Sequence, residues 1–310
     1  MKNAHKSCEK LLVTGAAGFL GFAVAQAAKA AGYEVFGIGR QDAPQRLKGS
    51  QQTYEAVDLS DRQEVEAYLA RVKPEAIIHC AWTGISGSSR DQDIQYGNIQ
   101  ATLSLVEIGA KYGLRKFIGV GSQAEYGHYE GRIAETHVPA PMTLYGAAKL
   151  AAYTLTRQRA RALSVDFAWL RLFAIYGPGD NPNWLIPSLI RAMMQHQAPP
   201  MTEGIQKWDY LFIDDAAEAI MATLASTQVE GTYNLSSGSA LAVRKIAESL
   251  RDTIAPDLAL IFGTIPYGPN QIFHMEGDIS RLSSATGWTP KTDLLAGLQK
   301  TIQHEKVVAP

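Results

Sequence analysis

Residues 13–21, VTGAAGFLG, join a run of β-favouring residues, KLLVT, to an alanine-rich stretch that closes at Gly32. Gly15 permits a tight turn, Gly18 lets the backbone approach a pyrophosphate, and Gly21 lets the next helix pack close to the strand. A helix opening on such a turn directs free N–H groups and the positive end of its dipole at an anion. Ala17, Phe19 and Leu20 are the other positions of this loop expected along the cofactor. A glycine-rich turn with no ligand has the same spacing. The second strand, YEVFGIG, follows at the distance a dinucleotide-binding βαβ unit requires, and that narrows the choice.

The alternation continues. Strands are predicted at TYEAVDL, EAIIHCAW, RKFIGVGS and VDFAWLRLF. Between them lie helical stretches, SDRQEVEAYLARV (capped by Ser60 or Asp61), DIQYGNIQATLSLVEIGAKYG and YGAAKLAAYTLTRQRARAL. The pattern predicts an α/β fold, a Rossmann-type doubly wound parallel sheet, over residues 1–176. After Gly177 the loop GPGDNPNW, the helix LIPSLIRAMMQ and the breaker QAPPM interrupt it. YLFI and DDAAEAIMATLAS restore it once, so residues 208–237 are expected to return to the first domain. Residues 177–207 and 238–310, ending in two short helices, are expected to form a smaller C-terminal substrate-binding lobe.

A chain of 310 residues, 46% hydrophobic, can bury a sizeable core. The net charge of −1, without a dense Lys/Arg block, gives no support to nucleic-acid binding. No apolar run reaches membrane-spanning length, and the opening MKNAHKSCEK lacks the apolar centre of a signal peptide. Two cysteines, Cys8 and Cys80, make no disulfide framework, so a cytoplasmic protein is expected.

The second strand ends on Gly39 and Arg40. An acidic residue there would accept hydrogen bonds from an adenosine ribose, and residues 37–41 contain none. Arg40 would instead bind a 2′-phosphate, which favours NADP(H) over NAD(H). Two other readings stay open: Arg40 as a solvated strand-end cation, and Asp42 as the ribose ligand.

LYGAAKLAAY places Tyr145 and Lys149 on one helix face. A free tyrosine titrates near pH ~10, too high for efficient proton transfer at neutral pH, and a neighbouring ammonium would lower that value. Lys149 could also hold the nicotinamide ribose. Ser122, at the end of the fifth strand, would donate to a substrate oxygen. His79 reads as core, Met193 and Met194 as helix packing, and Asp214 and Asp215 as helix caps. No metal ligand set is expected, because His, Cys, Asp and Glu nowhere cluster at zinc-like spacing.

With these motifs in hand, nearly the whole chain resembles an extended short-chain dehydrogenase/reductase. The group in question is the NAD(P)-dependent epimerase/dehydratase family that works on nucleotide-linked sugars. The resemblance implies Ser122, Tyr145 and Lys149 as a catalytic trio. It sets Asp58 and Leu59 of VDLSD beside the adenine, and Cys80, Ala81 and Trp82 of HCAW along the cofactor path. Asn98 of YGNIQAT falls in the family's active-site helix. The helices near 94–112 and 143–163 resemble those of the family's dimeric four-helix bundle, so a homodimer is expected.

Departures from the family pattern sort the reactions. Dehydratases carry an Asp–Glu pair after the catalytic Ser or Thr; here Gln123 and Ala124 follow Ser122, with Glu125 alone. Epimerising reductases use a Cys and a His where this chain has Ala124 and Trp184. Two readings remain, a NADPH-dependent 4-ketoreductase for a nucleotide-linked 4-keto-6-deoxysugar and a NAD-retaining 4-epimerase; Arg40 favours the first. A non-catalytic NADP-binding regulator and a reductase for non-nucleotide carbonyls are further readings. Thr83, Gln123, Thr143 and Trp184 are candidate sugar contacts. The family's phosphate-contacting Asn and Arg are replaced by Ala174 and Trp208, so Arg191 is a candidate for the diphosphate grip, with a solvated helix cation as the other reading. Trp208 would pack a base or seal the lobe.

Overall fold

The computed structural model describes residues 9–308 except 43 and 51, so Cys8 lies outside the described residues. Seven parallel strands form the main sheet: β1 (Lys10–Thr14), β2 (Glu34–Gly39), β3 (Thr53–Ala56), β4 (Ala76–His79), β5 (Lys116–Ser122), β7 (Asp166–Leu172) and β10 (Gly231–Leu235). Their spatial order is β10-β7-β5-β4-β1-β2-β3. Every residue of β4 and β5 is buried, as a sheet covered on both faces requires.

Alternation within each strand feeds two cores. Leu11, Val13, Ile78 and Ile118 face one side, where helices α1 (Phe19–Ala30) and α6 (Ile213–Ala225) pack. Leu12, Ile77 and Phe117 face the other, against α2 (Arg62–Val72), α3 (Ile94–Lys111) and α4 (Leu144–Ala162). The cap of α2 is Asp61, whose carboxylate accepts from the backbone N–H of Gln63 (2.9 Å) and Glu64 (3.1 Å).

A second sheet joins β6 (Gly131–Ile133), β9 (Lys207–Phe212), β11 (Ala240–Ala242) and β12 (His274–Gly277) in the order β11-β9-β12-β6. Strand β8 (Ala174–Tyr176) pairs with β9. The YLFI strand, expected to return to the first domain, therefore pairs in this smaller sheet. What returns is α6, beside α1, and then β10 at the edge of the main sheet. Strand period alone does not say which edge a strand finds; β9 is claimed by β11 and β12, far along the chain.

The remaining helices are α5 (Leu185–Met194), α7 (Val243–Ile254), α8 (Ser280–Thr286) and α9 (Leu294–Val308). Helix α9 has 15 residues, longer than expected, and buries Leu298 and Ile302 in the core that contains Tyr176 and Phe212. Phe212 is the N-cap of α6, so Asp214 and Asp215 lie in its first turn and are not caps. Carboxylates there still meet the positive helix end. Asp215 also accepts from the Thr292 N–H at 2.9 Å, docking the segment before α9. Trp208 packs beside Tyr126, Ile133, Phe173 and Met275 in the small sheet. Among the described residues, no helix is long and apolar enough to cross a membrane, and no group of His, Cys, Asp and Glu could hold a metal.

Candidate active site

Strand order reverses at β1, which lies between β2 and β4, and a crevice opens at the C-terminal ends of these strands. Gly15 turns the chain there with φ +68°; a Cβ on it would lie 2.9 Å from the Ala81 nitrogen. A side chain at Gly21 would run into the Gly15 carbonyl, so only glycine lets α1 start this close to β1. No side chain caps α1, which leaves its first N–H groups for an anion. Ala17 lies in the turn, and Phe19 and Leu20 begin the helix.

A cavity of about 380 Å³ fills the crevice. Gly15, Arg40, Asp58 and Leu59 line one part of it; Ala81, Trp82, Thr83 and Asn98 line the rest. At the first end the Asp58 carboxylate accepts from Ser60 N–H (2.9 Å) and Oγ–H (2.8 Å). Those bonds hold it below the usual carboxylate range, with Arg40 adding a smaller pull. Cys80, partly buried, packs against the core beside the turn at Gly15, and burial pushes its thiol up to about 12.

Two residues differ in use from what their types suggest. Asn98 lies on the cavity wall, yet its amide spans the Thr83 peptide: Oδ1 accepts from Thr83 N–H at 3.0 Å and Nδ2 donates to Thr83 O at 2.9 Å. It therefore shapes the wall. His79, read as core, also reaches the cavity. Thr14 Oγ1, which accepts from Ala81 N–H (3.2 Å), lies 2.8 Å from His79 Nδ1. Thr102 Oγ1, which donates to Asn98 O (2.8 Å), lies 3.0 Å from His79 Nε2. These partners assign the proton to Nε2. Burial drives the imidazole down to about 3, so it stays neutral.

The trio lies behind Trp82, outside the residues that line the cavity. Ser122 ends β5, and Tyr145 and Lys149 occupy the first turns of α4. Trp82, part of the cavity wall, meets the Tyr145 ring edge-on with centroids 6.2 Å apart. The Lys149 ammonium lies 3.7 Å from the Trp82 ring centroid and donates to Val120 O at 2.6 Å. Cofactor cavity and trio thus share one indole. Lys149 Nζ stands 6.0 Å from the Tyr145 ring centroid, and its closer contacts are to Trp82 and Val120. Burial raises the phenol; a Ser122 hydrogen bond and the Arg90 cation lower it, and Glu125 raises it further. Burial brings Lys149 itself down to about 7, opposed by Glu125.

Glu125 is the anchor beneath Ser122. It is fully buried, and its Oε1 accepts from Ser122 N–H and from Trp169 Nε1–H, both at 2.9 Å. Its Oε2 accepts from Arg171 Nε–H at 2.8 Å. Sequence reading noted Glu125 only as an isolated acid; the signal for its role was the lone charge, Arg171, inside the apolar strand FAWLRLF.

The candidate sugar contacts divide. Gln123 follows Ser122 in a short turn, and Thr83 is on the cavity wall. Thr143 is the N-cap of α4, its Oγ1 accepting from Gly146 N–H at 3.1 Å, so its hydroxyl oxygen is engaged. Trp184 is an exposed residue at the start of α5. Arg191 Nε–H donates to the buried Glu305 carboxylate at 2.7 Å, tying α5 to α9. A distant helix supplied the counter-ion, which local sequence could not reveal. The residue that sequence reading missed is Arg90, whose guanidinium carbon stands 4.6 Å from the Tyr145 ring centroid.

A doubly wound sheet, a crevice at its switch point and a Ser, a Tyr and a Lys grouped behind the Trp82 of its wall define the class: a dinucleotide-dependent oxidoreductase of the short-chain dehydrogenase/reductase type. More narrowly, the chain belongs to the NAD dependent epimerase/dehydratase family, which residues 11–236 match. It is 27% identical over 312 residues to an uncharacterized UDP-glucose epimerase, YtcB, of Bacillus subtilis, covering 95% of this chain and 97% of that one. The UDP-glucose 4-epimerase of Thermotoga maritima, solved with UDP-glucose, shares the fold at a TM-score of 0.89 and 23% identity, covering 97% of this chain and all of that one. MoeE5, solved with UDP-glucuronic acid and NAD, is 26% identical with a TM-score of 0.82, covering 96% of this chain and 99% of that one.

Proposed function

We propose that the chain is a nucleotide-sugar 4-epimerase that retains NAD through turnover. The observation that carries the reading is the contact through Trp82: one phenol, Tyr145, touches both this indole of the cavity wall and Ser122, with Gln123 and Ala124 where a dehydratase would hold an acid pair. Inverting C4 needs one proton removed from O4 and returned to it, so a single phenol suffices. Dehydration, or epimerisation at C3 or C5, needs acid–base groups at further atoms. Full-length similarity to proteins named as UDP-glucose epimerases supports the same choice.

The residues fit a dinucleotide. The uncapped start of α1 would take the pyrophosphate, Asp58 and Leu59 the adenine, and Ala81 and Trp82 the path to the nicotinamide. When bound, the dinucleotide accepts and returns the hydride at C4. Tyr145 would take the O4 proton and give it back; Ser122 Oγ–H would donate to O4 and orient it; Lys149 would turn from Val120 to hold the nicotinamide ribose. The sugar nucleotide would lie between the main sheet and the lobe of residues 177–207 and 238–310.

A second reading, net reduction of a nucleotide-linked 4-keto-6-deoxysugar by NADPH, is supported by Arg40 on the cavity wall. The two are separated by cofactor accounting. Protein stripped by denaturation should release NAD, and purified protein should interconvert UDP-hexoses or UDP-hexuronates at C4 with no added cofactor. Consumption of NADPH in step with a 4-keto sugar would establish the second reading instead; turnover of neither substrate class contradicts both. We also infer a cytoplasmic homodimer paired through α3 and α4, supported by the exposed Tyr96 and Leu155 on those helices.

A further inference from the structure

Arg90 lies in the segment between β4 and α3, and three contacts fix where that segment stands. Asp91, its neighbour, accepts from the Leu144 N–H at 2.8 Å, so the segment is fastened to the first turn of α4. Gln95 Nε2 donates to the carbonyls of Gly84 (2.7 Å) and Ser89 (3.0 Å), closing the loop on itself. Gln95 Oε1 accepts from Trp82 Nε1–H at 2.9 Å, joining the loop to the indole that touches Tyr145. The result is a guanidinium carbon 4.6 Å from the Tyr145 ring centroid. Arg90 Nε is buried with no hydrogen-bond partner, and Arg90 makes no ion pair among the described residues. Its charge is therefore not neutralised by a neighbouring carboxylate.

We propose that Arg90 is a positioning residue that stabilises the anionic form of the Tyr145 phenol by standing over its ring, nearer to it than Lys149 does. A phenolate spreads charge into its ring, so a cation over the face attracts it more strongly than it attracts the neutral phenol. Of the other groups facing Tyr145, Lys149 stands farther off, 6.0 Å from the ring centroid, with closer contacts to Val120 and Trp82; Ser122 offers a neutral hydrogen bond, and Glu125, beneath Ser122, opposes ionisation. The inference deepens the proposed function, on which its catalytic meaning rests, but Tyr145 ionisation can be read without any substrate.

The test is a ¹⁹F NMR titration of protein carrying 3-fluorotyrosine, with the Tyr145 resonance identified by its loss in Tyr145→Phe. Arg90→Gln should raise the midpoint of that resonance by about one pH unit. Arg90→Lys, which keeps the charge, should return most of the difference and guards against a loop that merely repacks. An unchanged midpoint in Arg90→Gln overturns the proposal. In the turning-over enzyme the pH dependence of kcat/KM should move with the same midpoint. A protein that turns over none of the nucleotide sugars yet shows the NMR shift would sink the functional reading and leave this one standing.

Discussion

Arg40 shows how much a single strand-end side chain decides. It shares the cavity wall with Asp58 and is exposed beyond it, so a 2′-phosphate placed there would meet a cation, whereas an unmodified ribose would gain little. A charge-assisted hydrogen bond is worth about 1.5–3 kcal/mol, roughly ten- to a hundredfold in affinity. Arg40→Ala should therefore weaken NADP binding by about tenfold or more while changing NAD binding little, as dissociation constants from titration calorimetry would show. If both constants move together or neither moves, Arg40 is a solvated cation and Asp42 becomes the ribose candidate. The same scale marks where single residues were legible. Glycines, the Tyr–Lys pair and the strand-end serine carry their geometry in their spacing. Arg191 and Arg90 do not, because what each cation faces is brought by a separate element, α9 for one and α4 for the other.

At the scale of elements, periodicity was the readable signal. Strands β1, β2, β4 and β5 place Leu, Ile, Val and Phe in two cores, and that pattern sufficed to place the dinucleotide loop and Ser122 at strand ends. It was silent on polar contacts across elements. The turn after β5 and strand β7 are joined by the Glu125–Arg171 pair, whose side chains are 0% and 3% exposed. Removing one partner leaves a buried charge uncompensated, which typically costs about 3–5 kcal/mol. Glu125→Ala should lower the unfolding free energy from denaturant titration by that order, and Glu125→Ala with Arg171→Met should recover part of the loss. A single-variant loss under about 1 kcal/mol would mean that water reaches the site and screens Arg171.

At the scale of the molecule, the sheet order settles where chemistry can occur, and the long-range closures settle what approaches it. Arg46, between β2 and β3, donates to Gly179 O at 2.7 Å, linking the cofactor side of the main sheet to the loop after β8. Strand β9 joins the small sheet while α6 and β10 rejoin the large one, so the chain crosses between the two more than once. Sequence alternation announces the large parallel sheet but neither the small one nor the crossings, since pairing partners lie tens of residues apart. The mechanism depends on what this architecture leaves at the shared wall, a phenol beside Ser122 and the indole of the cofactor cavity. The decisive measurement is the rate of C4 interconversion by Tyr145→Phe, on protein shown to be folded and to hold its dinucleotide. The account predicts a loss of about a hundredfold or more, the contribution of one general acid–base group. A rate within about twofold of the parent would contradict it, since a general acid–base group contributes far more than that.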